Sequence, residues 1–138
     1  MKYSYALVYL VVLIFSTCVF SHDKPNGEIH VTSPSKGPFV YSSYQAVTWT
    51  PNTEHVNDPY GPHSLCQVRV CLAGPKDEYG FYICKKAICT EYVPYGHGYY
   101  QFVVDHRFFL KTNYFAEVEF KQEHIYYKGQ SCLFTVCK

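Results

Sequence analysis

Tyr114-Phe115-Ala116-Glu117-Val118-Glu119-Phe120-Lys121 sets Tyr114, Ala116, Val118 and Phe120 at every second position, alternating with Phe115, Glu117, Glu119 and Lys121. A period of two puts alternate side chains on opposite faces of an extended chain, so this stretch predicts a β-strand with one face in a core and the other in water. Cys66-Gln-Val-Arg-Val-Cys-Leu72 repeats the pattern: Cys66, Val68, Val70 and Leu72 face inward, while Gln67, Arg69 and Cys71 face outward. Outward from these two, further β-rich runs predict strands at Glu28–Ser33, Ala46–Thr50, Phe81–Lys85, Ala87–Tyr92, Tyr99–Asp105 and Cys132–Cys137. Trp49 shares a face with Val47 and is expected in the core. Turns are predicted at 35–38, 57–62, 74–77 and 95–98, where Gly, Pro, Asn and Asp cluster. No segment sustains a helical period. The expectation is one all-β, antiparallel sandwich domain of about seven to eight strands.

Residues 1–21 are expected to be a cleaved signal peptide. Lys2 precedes the apolar run Ala6–Phe15, which is too short to span a bilayer, and Val19 and Ser21 suit the −3 and −1 positions of a cleavage site. The mature domain would be 22–138, secreted, extracellular or wall-associated, and free of the membrane. Asn26, Asn52, Asn57 and Asn113 all lack a glycosylation context.

Six cysteines of the mature part fall in three C-x4-C frames, Cys66/Cys71, Cys84/Cys89 and Cys132/Cys137, which in an oxidising compartment predict disulfides in preference to zinc ligation. In an antiparallel hairpin, opposed residues keep a constant sum of positions. Cys71 with Cys84 and Cys66 with Cys89 share one sum and are the favoured pairs. Cys132 and Cys137 would lie about 17 Å apart in a regular strand, so pairing them directly requires a bend, and other pairings stay open.

Lys2 leaves with the leader, so 11 basic residues balance 11 acidic ones. That excludes a basic field for nucleic acid or an anionic membrane. No nucleophile elbow, phosphate loop or metalloprotease motif occurs, and no cofactor is expected.

The stretch Ile29-His-Val-Thr-Ser-Pro-Ser-Lys-Gly-Pro-Phe-Val-Tyr-Ser-Ser-Tyr-Gln-Ala-Val-Thr-Trp-Thr50 resembles the opening of the Kre/Knh-type N-terminal domain of yeast cell wall synthesis proteins, a Ser/Thr-rich, GPI-anchored family. Gly98–Asp105, Asn113–Phe120 and Leu133–Val136 resemble that domain's last three strands. The resemblance implies an immunoglobulin-like or fibronectin-like sandwich in a fungal extracellular protein tied to the cell wall, without catalytic residues. The three cysteine frames depart from the family pattern.

Three kinds of function follow as expectations. The first is non-catalytic binding of cell wall polysaccharide, with Tyr95, His97 and Tyr99 as candidate residues, because tyrosine offers a flat face with a polar tip for stacking on sugar rings. A second is a secreted effector or inhibitor that contacts an extracellular protein through its loops. The third is a copper enzyme in which the amine and imidazole of His22, together with a second histidine, form an N-terminal histidine brace.

Overall fold

A computed structural model describes residues 23–51 and 64–138. They form ten strands: β1 (Gly27–Glu28), β2 (His30–Ser33), β3 (Phe39–Val40), β4 (Tyr44–Thr50), β5 (Leu65–Lys76), β6 (Tyr82–Pro94), β7 (Tyr99–Val103), β8 (Tyr114–Gln122), β9 (Ile125–Gln130) and β10 (Val136–Cys137). One sheet has the order β1-β9-β8-β5-β6, the other β2-β4-β7, and β3 pairs with β10. The chain thus crosses from β4 to the large sheet, returns for β7 and crosses again for β8, as in immunoglobulin-like and fibronectin-like sandwiches.

Between the sheets lie Val47 and Trp49 from one side and Val68, Val70, Ala116, Val118 and Phe120 from the other, all at most 4% exposed. The inward sets read from alternation are the observed ones. Trp49 satisfies its indole by donating Nε1–H to the Tyr95 carbonyl at 2.9 Å. At the entry to β8 the Tyr114 hydroxyl accepts the N–H of Phe109 at 2.6 Å. A tyrosine bonded back to the chain just upstream is the corner device of such sandwiches.

Five details depart from the sequence reading. First, Phe81–Lys85 and Ala87–Tyr92 are one strand, β6, and the 74–77 turn lies instead at Asp77–Gly80, where the Asp77 carboxylate accepts the N–H of Tyr79 and Phe81. Second, β9 was hidden because its turn from β8 runs through Glu123, at φ 40, without Gly, Asn or Pro to announce it. Third, β1 with β9 and β3 with β10 are parallel pairs, formed where the N-terminal segment runs beside the last strands. Fourth, Cys132–Cys137 is not a continuous strand, since only Val136–Cys137 is extended in a ladder.

The fifth is the outer face of β8. Phe115 and Glu117 were expected in water and are 0% and 1% exposed. The cover comes from the β5–β6 hairpin, whose register shifts at Val70/Cys71, Leu72/Ala73 and Ala73/Lys76 bend its tip over that face. Tyr82 packs on Phe115 with ring centroids 5.7 Å apart, and its N–H and carbonyl both bond to the Gln130 amide. Lys128 Nζ sits over the Phe81 ring.

Candidate functional site

Among the described residues the cysteines separate into one bridge and four thiols. Cys71 and Cys84 are disulfide-bonded, with Cα atoms 5.3 Å apart, joining the outer face of β5 to the folded tip of β6. Cys66 and Cys89 are not bonded, which corrects the second favoured pair. Cys66 stands opposite Val93 and Cys89 opposite Val70, in a register that the shifts at Val70/Cys71 and Leu72/Ala73, each adding a residue to β6, separate from that of the hairpin tip. The offset of four residues is about 13 Å along the sheet, beyond disulfide reach. Cys132, exposed, and Cys137, half-buried, are also free thiols. Burial pushes the Cys66 thiol up to about 12. It also raises Cys89, which Arg107 partly offsets.

Tyr95, His97 and Tyr99 are adjacent in sequence and diverge in space. Pro94 ends β6, and a 3₁₀ turn over Tyr95–His97 rotates the chain before Gly98, at φ 66, leads into β7. Tyr95 therefore points into the core, 4% exposed and stacked on Phe120 at 4.7 Å. A ring so covered has no face for a sugar, which removes it from the candidate set. His97 is exposed, and Tyr99 is half exposed.

Tyr99 belongs to a larger surface, the outer face of β2-β4-β7. Parity that turns Val47 and Trp49 inward turns Tyr44, Ala46, Thr48 and Thr50 outward, joined by His30 from β2 and by Tyr99, Gln101 and Val103 from β7. Tyr44 is 71% exposed and Tyr99 50%. They lie on neighbouring strands four residues out of step, about 14 Å apart, with Ala46 and Gln101 between them and Thr48 directly opposite Tyr99. The sequence reading begins this strand at Ala46, two residues short of Tyr44. Continuing the alternation two residues upstream finds it.

A hydroxyl relay organises the middle of this face. The Ser33 hydroxyl donates to the Ala46 carbonyl at 2.8 Å, so in its 2.6 Å contact with Thr48 the threonine is the donor. Thr48 must then accept from Thr32, also 2.6 Å away. The bulge between Val31 and Ser33 brings both β2 hydroxyls onto Thr48. The relay ends at the exposed Thr32 oxygen, whose lone pairs face outward as acceptors.

This sheet has no ionisable side chain of the Asp, Glu, Lys or Arg type in β2, β4 or β7. Charge is concentrated on the opposite sheet, where Arg69 and Lys128 bind the buried Glu117 and the Tyr126 hydroxyl donates to Glu119. Burial and Glu119 together raise the Tyr126 hydroxyl well above its ordinary value. Beside β7, a cleft of about 540 Å³ separates its edge from β6 and is lined by Tyr44, Ile88, Cys89, Tyr100, Phe102 and Arg107. Arg107 pairs with Asp105 at 2.9 Å and holds that carboxyl below its ordinary range.

His22, with His55 and His63, lies outside the described residues. Among the described residues no three His, Cys, Asp or Glu side chains are grouped to hold a metal ion. No family model, no curated protein and no solved structure matches the chain.

Proposed function

We propose that this chain is a small exported extracellular domain of cell-wall type that acts by binding, without turnover, and that the outer face of β2-β4-β7 takes a neutral wall polysaccharide. The observation that carries the reading is the uncharged face itself: two exposed tyrosine rings about 14 Å apart share it with a hydroxyl relay that starts at Thr48, opposite Tyr99, and ends at the exposed Thr32 oxygen as acceptor. Neutral sugars present apolar ring faces and hydroxyl donors, which match tyrosine stacking and the Thr32 oxygen, and they need no counter-charge. The apolar leader, the disulfide and the resemblance to the Kre/Knh-type domain support an exported, wall-facing setting.

The test is retention on insoluble β-glucan, comparing the wild type with Tyr44→Ala, Tyr99→Ala and their double variant. Each single change is expected to lower retention several-fold, the double change to abolish it, and Tyr92→Ala, on β6 of the other sheet, to leave it unchanged. Equal retention by all four proteins would refute the assignment of this face.

A further inference from the structure

The two sheets end in four lateral edges, and three of them are blunted. β1 is two residues long; β2 is interrupted by a bulge and stops at Pro34; β6 carries register shifts, Lys85 and Lys86, and its Ile88 carbonyl accepts a hydrogen bond from Arg107. Short edges, bulges, proline and lysine are the devices that keep sheet edges from pairing with another chain. β7 has none of them. Its register with β4 is continuous from Tyr99 opposite Thr48 to Val103 opposite Tyr44, and its sequence Tyr-Tyr-Gln-Phe-Val has no charge, proline or glycine. Among the described residues its other edge pairs with no strand.

We propose that β7 pairs antiparallel with β7 of a second copy, about a two-fold axis at Gln101. In that register Tyr99 stands opposite Val103 of the second copy and Tyr100 opposite Phe102 of the second copy, each pair occurring twice. Aromatic and β-branched residues are favoured cross-strand partners, and no like charges meet. The sequence is thus chemically symmetric about its centre, as an isologous contact requires. Pairing joins the two three-stranded sheets into one six-stranded sheet and brings the second copy over the cleft that holds Tyr100, Phe102 and Cys89. A five-residue strand pair buries less than the roughly 1,200 Å² of a stable complex, so the dimer dissociates at low concentration.

The experiment is sedimentation velocity over a concentration series, without glycan, in a Cys132→Ser, Cys137→Ser background that removes dimers linked through these thiols. A monomer–dimer equilibrium is expected. Gln101→Lys and Gln101→Glu each place like charges on the axis, and each alone is expected to be monomeric at concentrations where the parent is half dimeric. Mixing the two should restore dimer, and Cys89 alkylation should slow in that mixture. A parent that stays monomeric throughout, or a dimer that survives in both variants, overturns the proposal. Because no polysaccharide is present, the result is separate from the β-glucan reading.

Discussion

Lys128 Nζ lies 2.9 Å from Oε1 of Glu117, a carboxylate 1% exposed on the covered outer face of β8. Arg69 holds the other oxygen. Glu117→Ala leaves two partly buried cations facing each other and is expected to cost about 3 kcal/mol, whereas Lys128→Met retains the Arg69 pair and costs about 1 kcal/mol. Replacing all three with Glu117→Leu, Arg69→Met and Lys128→Met should recover most of the loss, because no uncompensated charge remains. Urea unfolding of the three proteins checks the order; a triple variant weaker than Glu117→Ala contradicts it.

The Cys71–Cys84 bridge ties the bent hairpin tip to β5. Cys71→Ser with Cys84→Ser opens a loop with a sequence separation of 13, which predicts a loss of about 3 kcal/mol. The loss has a location. Hydrogen exchange should quicken first at Phe81 and Tyr82 and on the outer face at Phe115, with Val47 and Trp49 protected as before. Uniform loss across both sheets would mean that the bridge supports the whole sandwich and not the tip.

Some of this architecture was legible residue by residue. Alternation in β4, β5 and β8 reports which side chains turn inward, because the pleat is a local property, and Val47, Trp49, Val68 and Phe120 lie where it put them. It does not report what lies over the other face. Phe115 and Glu117 are covered by a hairpin more than thirty residues away in sequence, bent by bulges of which only the shift across Gly74 and Pro75 has a composition signal. The ladder also departs from the arithmetic for both cysteine pairs, since Cys71 stands opposite Ala87 and Cys84 opposite Ala73, yet Cys71 and Cys84 come within bonding distance at the bent tip while Cys66 and Cys89 do not. In the candidate site, Tyr99 was recognisable and Tyr95 was misplaced, since a single 3₁₀ turn between them reverses which way the rings point.

Gly129 sits inside β9, where a Cβ would stand 1.9 Å from the Ile29 carbonyl oxygen. Only a residue without a side chain lets the β1–β2 junction cross so close to the sheet. Gly129→Ala is expected to push Ile29 off β9, breaking the bond from its N–H to the Lys128 carbonyl, and to cost about 3 kcal/mol or more. Thermal unfolding gives the magnitude, and exchange of the Ile29 amide gives the place. Wild-type stability in the variant would show that the junction can retreat at no cost.

Cys66 gives stability an alkaline limit. Its thiol is 1% exposed in the core, and burial raises it from 9.0 to about 12. Below pH 8 the thiol is protonated in both folded and unfolded chains and contributes no slope. Between about 9 and about 12 the unfolded chain has released a proton that the folded chain retains, so stability falls with rising pH by about 1.4 kcal/mol per pH unit for this group. Cys89 and Tyr100, both raised by burial, add in the same direction. Cys66→Ala is expected to be weaker at pH 7 by about 1–2 kcal/mol through the space it leaves. Its decline between pH 9 and 10 should nevertheless be shallower, because one fewer proton is lost on unfolding. Denaturant midpoints measured across that interval decide it: an unchanged slope would mean that the Cys66 thiol ionises alike in both states.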